Sequence, residues 1–194
     1  MRGELVYRDG SNNIHSDLIS RDGTKKIVVS RDIIKIVSTV TNEVIKEKRE
    51  TRGDPRALGF SDDGEKVLYI SYHRGGAFVS TSLTVWDSML NKSWAVDDHR
   101  VRYITKVSCN GDFSLMALSG EYGVSLVYPY DKGRVWYRTL CFFSSMEDAD
   151  IESLSLDEEK GIVWVSHQKG FETLTIQYGV IQSRYLLPSE VVMQ

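Results

Sequence analysis

An Asp-Gly turn held between two apolar runs constrains this chain more than any other feature. In Phe60-Ser-Asp-Asp-Gly64, followed by Val67-Leu-Tyr-Ile-Ser71, an apolar strand end leads into the turn and a second apolar run leads out. Glycine takes φ > 0 without a Cβ clash, so Asp-Gly between strand-like runs signals a hairpin. The frame recurs at Ser20-Arg-Asp-Gly23, Ser61-Asp-Asp-Gly64, Ser108-Cys-Asn-Gly111 and Ser155-Leu-Asp-Glu158, with the last glycine displaced to 161. The leading serines stand 41, 47 and 47 residues apart.

Downstream of each hairpin lies a third run: Ile33-Ile-Lys-Ile-Val37, Leu83-Thr-Val-Trp86, Ser125-Leu-Val-Tyr128 and Leu174-Thr-Ile-Gln177. A fourth follows: Glu43-Val-Ile-Lys46, Ser93-Trp-Ala-Val96, Arg134-Val-Trp-Tyr-Arg138 and Ser183-Arg-Tyr-Leu-Leu187. Four short strands per unit, a period of about 40–50 residues and no helical periodicity describe β-propeller blades in a single all-β domain. The units span about 14–50, 54–98, 101–141 and 150–188. A β-sandwich would not explain a turn, or its relic, at the same place in every unit.

Phe60 to Gly64, read on through Val85-Trp86-Asp87, resembles the core of a WD40 repeat, where a Phe-Ser-Pro-Asp-Gly turn precedes a strand ending in Trp-Asp. The likeness is close in the second unit, degenerate in the others, and covers residues 16–188 by pattern. One unit has Trp-Asp and none has the family's Gly-His; Asp98-His99 is its nearest echo. The resemblance therefore does not carry over the His–Asp pairing that braces typical blades. The resemblance implies rings of commonly about seven blades, within the wider range of about four to eight. Four units close only as a small ring, or form an open arc completed by another chain. Unpaired strand edges invite association, and two arcs about a two-fold axis would make a homodimer. The N-terminal run Glu4-Leu-Val-Tyr-Arg8 makes Leu5, Val6 and Tyr7 the expected assembly edge.

Apolar content of 41% and charged content of 26% fit a globular protein with one buried core. No apolar run approaches the roughly 20 residues of a membrane span, and no signal-peptide core is present, so an intracellular, cytoplasmic protein is expected. A net charge of −3 argues against nucleic acid, whose phosphates demand a basic surplus. Cys109 and Cys141 read as reduced thiols in strand-like or flanking segments.

Loops carry function on a rigid β scaffold. The connections between second and third strands, and those leading to the next unit, emerge at one rim. There Tyr72-His-Arg-Gly-Gly-Ala-Phe-Val-Ser80 reads either as a contact loop or as an extended hairpin with Gly75-Gly76 at its turn. Residues 46–56 hold five basic and three acidic side chains, a mixed solvated connection. Arg52-Gly53 only partly matches the paired arginines of phosphoinositide-binding propellers. The seven acids between Glu147 and Glu159 divide between two opposite ends of a blade, without the converging pocket that acid–base catalysis requires. His15, His73, His99 and His167 have no metal-ligand spacing, and no nucleophile motif exists. The reading is a non-enzymatic scaffold that binds protein partners without a cofactor or metal, through Arg52, Arg56, His73, Arg74, Asp98, His99 and Arg100. The alternatives are a propeller enzyme with a channel site and a phosphoinositide-binding propeller.

Overall fold

The computed structural model describes residues 18–51, 53–75, 78–96, 104–120, 123–128, 136–142, 151–167, 170–176 and 181–186. Among them every regular element is a strand. The first sheet contains β1 (Leu18–Ile19), β2 (Lys25–Ser30), β3 (Ile33–Ser38) and β4 (Val44–Arg49). The second contains β5 (Asp54–Phe60), β6 (Lys66–Gly75), β7 (Phe78–Asp87) and β8 (Lys92–Val96). The third has β9 (Lys106–Cys109), β10 (Met116–Gly120), β11 (Gly123–Tyr128) and β12 (Trp136–Phe142). The fourth has β13 (Ile151–Asp157), β14 (Ile162–His167), β15 (Gly170–Thr175) and β16 (Ile181–Leu186). Each sheet is an antiparallel meander in chain order, which is the blade pattern expected from the repeats.

Strand sequences record how many faces each sheet buries. Val67, Leu68, Tyr69 and Ile70 on β6 are all fully buried. Val67 and Tyr69 point back to the first sheet, Leu68 and Ile70 forward to the third. A sheet covered on both sides reads as a continuous apolar run because neither face can tolerate polar groups. In β2, by contrast, Ile27 is buried against the second sheet, whereas Lys26 and Val28 alternate onto the other face. Three apolar clusters join the first sheet to the second, the second to the third, and the third to the fourth. None of them joins the fourth to the first. Among the described residues the four sheets form an open arc rather than the small ring that four units also permitted.

Aromatics divide accordingly. Trp86 is buried in the first seam, as expected of a wedge-filling side chain. Trp164 is not between blades: it is 40% exposed on the outer face of the fourth sheet. It lies on β14, and no fifth sheet lies against it among the described residues.

The hairpin turns share a side-chain lock. The Ser20 hydroxyl donates to Asp22 Oδ1 (2.6 Å) and accepts from the Lys25 amide (2.9 Å), while the Thr24 amide donates to Asp22 Oδ1 (3.0 Å). Ser61 and Asp63 repeat this with the Lys66 and Glu65 amides. In the third unit the lock belongs to Asn110 and Asp112, which accept from the Leu115 and Ser114 amides. The true repeat position of Ser61 is thus Asn110, two residues beyond the serine that the sequence frame selects. Gly23 and Gly64 occupy the left-handed position with φ of 74° and 70°, but in the third unit Phe113 takes it with φ 63°. Its side chain is buried in the second seam, and that packing holds a backbone conformation costing on the order of 1–3 kcal/mol for a bulky residue.

Turns also bind to one another along the arc. The Lys25 ammonium reaches Glu65 (2.8 Å) and the Gly64 carbonyl, the Asp62 amide donates to the Gly111 carbonyl (2.7 Å), and Asn110 Nδ2 donates to Glu158 (3.2 Å). Asp22, Asp63 and Asn110 are therefore structural groups of the hairpin turns.

These bonds depress the turn carboxylates. The Ser20 hydroxyl and the Thr24 amide bring Asp22 down to about 2. Partial burial would raise Asp63 and Asp112, but hydroxyl and amide donors outweigh it and lower both. A depressed folded-state pKa adds stability that is complete above the unfolded value and is lost as pH falls through the folded one. The thermal midpoint should accordingly fall between about pH 4 and pH 2. Asp22→Asn, which keeps an acceptor but cannot be protonated, should be less stable at pH 6 and show a shallower acid decline, read by circular dichroism.

Candidate functional site

The second sheet extends beyond its neighbours at one end. β6 and β7 are ten residues each and remain paired out to Gly75 and Phe78, whereas the corresponding strands of the other sheets have five or six. Of the two readings of 72–80, this is the extended hairpin. Its strands carry threonine, serine, valine and tyrosine, residues suited to a pleated surface.

Beside the hairpin runs the connection from β4 to β5. The buried Glu50 carboxylate accepts a 2.7 Å hydrogen bond from the Tyr69 hydroxyl, and the Glu50 amide donates to the Asp32 carbonyl (2.7 Å). Asp32 also accepts from Arg49 Nε at 2.5 Å, and this bond with the guanidinium lowers its pKa. Gly53 then passes so close to β6 that a Cβ there would overlap the Tyr72 carbonyl. That contact accounts for glycine in Arg52-Gly53 without any ligand. On the opposite side of the hairpin root, the Ile104 amide donates to Thr81 Oγ1 (2.9 Å), tying down the entry to the third blade.

Two expected site residues are described with their side chains. Arg56 on β5 is exposed, its guanidinium 5.1 Å from the Tyr72 ring centroid in a cation–π contact. His73 on β6 is half-buried and shares a 2.8 Å hydrogen bond with Ser82 Oγ. Arg56 pairs with Ile70, which faces the third sheet, whereas His73 lies in the alternate set with Tyr69, which faces the first. They share one end of one sheet but opposite faces. Arg74 lies one residue further along β6. Arg52, Asp98, His99 and Arg100 fall outside the described residues, as do Leu5, Val6 and Tyr7.

His167 is the last residue of β14 and is buried. Its Nε2 lies 3.8 Å from the equally buried Glu172, an ion pair when the imidazole is protonated. Among the described residues no group of three or more His, Cys, Asp or Glu side chains could hold a metal ion, and no helix is long and apolar enough to cross a membrane. Among the described residues, the carboxylates with displaced pKa values, Asp22, Asp32, Asp63, Asp112 and Asp157, are all lowered. A general acid requires the opposite. Sequence reasoning missed Glu50, Tyr69 and Tyr72. A lone glutamate in a charged segment carries no mark of burial, because its tyrosine partner lies 19 positions away.

Solved structures place this architecture. The β-propeller domain of Myceliophteria thermophila Cps50 (Swd1) superposes with a TM-score of 0.63 at 15% identity, over 93% of this chain and 58% of that one. Kuenenia stuttgartiensis hydrazine synthase matches with a TM-score of 0.55 at 15% identity, over 86% of this chain and 54% of that one. No family model and no curated protein sequence matches. At such identity the likeness shows the fold alone: a β-propeller. The chain spans little more than half the length of either neighbour.

Gly53→Ala should force the β4–β5 connection off Tyr72 and cost about 1–3 kcal/mol of stability, in the range of overpacked sites. Tyr69→Phe removes a hydrogen bond to a buried carboxylate and should cost about 1.5–3 kcal/mol. Urea denaturation of both variants checks these values; Ser93→Ala, on the exposed outer strand β8, should change stability by less than about 0.5 kcal/mol.

Proposed function

We propose that this chain is a non-enzymatic protein-interaction module whose partner site is the rim formed by the long β6–β7 hairpin and the β4–β5 connection. The observation that carries this reading is the hairpin itself. It projects about four residues beyond the strands of the other sheets, and its root is fixed from both sides by Glu50, Gly53 and Thr81. A rigid projection loses little entropy on docking, which raises affinity for a given contact area. Arginine is favoured at interface hot spots, and Arg56 and Arg74 lie on this hairpin and its neighbouring strand. Arg52, Asp98, His99 and Arg100 extend the site in sequence.

The phosphoinositide alternative draws less support, since Gly53 is accounted for by packing and Arg56 by its stack on Tyr72. An enzymatic alternative would require a converging, pKa-raised acid, and the displaced carboxylates run the other way. Likeness to a hydrazine synthase is likeness of fold.

A photo-crosslinker at position 74 should capture protein, whereas one at Glu159, in the far-end turn of the fourth sheet, should not. The double variant Arg56→Ala/Arg74→Ala should weaken binding of the captured partner at least about tenfold, the scale of one interface hot spot, with an unchanged thermal midpoint. Equal capture at both positions, or flotation with phosphoinositide vesicles that depends on Arg52 and Arg56, would replace this reading.

A further inference from the structure

We infer that the outer faces of the first and fourth sheets are the two halves of one seam, which a second copy of this chain closes. Within the arc each seam joins the forward face of one sheet to the backward face of the next. The first sheet's backward face and the fourth sheet's forward face are left over. Both depart from the internal seams, and they do so in complementary ways.

On the first sheet, register places Ile19, Lys26 and Val37 in one row and Val28 with Lys35 in the next. The same positions in the second sheet hold Val67 and Trp86, then Tyr69 and Thr84, all buried. Two lysines thus stand where an internal seam has an aliphatic and a small hydroxyl side chain; the Lys26 ammonium donates to Asn42 Oδ1 (3.2 Å), Lys35 stands opposite Glu47 on β4, and Ile19 remains 55% exposed beside them. A lysine pair within an aliphatic surface suits a partner that is both apolar and electron-rich.

The fourth sheet presents that character. Trp164 occupies the position of Ala117 on the third sheet: Ala117 pairs with Ser108, and Trp164 with Ser155. Ala117 is fully buried, whereas Trp164 is 40% exposed. Glu152 shares this face, accepting a 3.5 Å hydrogen bond from Ser166 Oγ. An indole face and a carboxylate complement two ammonium groups, by cation–π attraction and by charge.

Ser155 adds a specific connection. At the third seam Ser108 Oγ accepts the Leu156 amide of the next sheet at 2.8 Å. Ser155 holds the equivalent position and is exposed on the forward face, a hydroxyl placed for the innermost strand of a fifth blade. In a two-fold arrangement the fourth sheet of each copy meets the first sheet of the other. The seam forms twice, and an eight-bladed ring leaves no open face, within the range of about four to eight blades. This seam lies apart from the rim site, so rim variants should leave it intact.

Light scattering on the 194-residue chain at micromolar concentration should give twice its 22.1 kDa. Lys26→Glu/Lys35→Glu and Trp164→Ala should each weaken the dimer at least tenfold with unchanged circular dichroism. Glu152→Lys, on an exposed side chain, should weaken it less, and mixing it with Lys26→Glu/Lys35→Glu should recover assembly. A native monomer overturns the inference. So does a dimer indifferent to all three variants, or one abolished only by deleting residues 1–9, which would indicate exchange of the Leu5–Tyr7 edge instead.

Discussion

Every four-stranded sheet has two faces, and a single neighbour covers only one of them. This requirement governs the whole structure. Val67 and Tyr69 need the first sheet as much as Leu68 and Ile70 need the third, because the strand that carries them is apolar throughout. At about 25 cal/mol per Å² of apolar surface, a fully buried aliphatic or aromatic side chain contributes about 1.5–3 kcal/mol. The blades are stable as a stack and not singly. The same logic makes the ends of the stack chemically distinct, with lysines at one end and an exposed tryptophan at the other.

The turns show how a repeat can persist after its sequence has drifted. What recurs is an acceptor that takes the amide at the start of the second strand, and a carboxylate two residues on that takes the amide before it. Serine fills the first role in two units and asparagine in the third. The left-handed position is glycine in two units and Phe113 in the third, where burial of the ring substitutes for freedom of the backbone. The fourth turn is built differently: Asp157 Oδ1 accepts the Lys160 amide, and Gly161 adopts φ 65°. The first three turns thus satisfy the same two backbone amides with different residues, while the fourth closes its hairpin through another amide.

The rim follows from that framework. Only the second sheet has strands long enough to project, and its projection is fixed by contacts between chemically unlike elements: a buried carboxylate on a tyrosine, a glycine against a carbonyl, a threonine receiving an amide. Arg56 and His73 come to the same end of this sheet, but the pleat sends them to opposite faces. The sheet itself therefore lies between the two side chains.

The amino-acid sequence by itself determined the strands, their grouping into four blades and the apolar stripes between them. These rest on local signals: Asp-Gly turns, period-two alternation, and the continuous run Val67–Ile70 that marks a sheet buried on both sides. It also marked 72–80 as unusual, since two glycines interrupt a long strand pattern. Tertiary structure alone decided the rest, because the deciding contacts join residues far apart in the chain. Ser108 and Asn110 are equally good turn residues in isolation, and only pairing in the sheet shows that Asn110 holds the turn and Ser108 bridges to the next blade. Trp86 and Trp164 both sit in strands, yet Trp86 faces the preceding sheet and is sealed, whereas Trp164 faces outward from the last described sheet and is exposed. Whether four blades close or remain an arc depends on the angle between sheets, which is set by side-chain packing across each seam and has no local signature in the sequence.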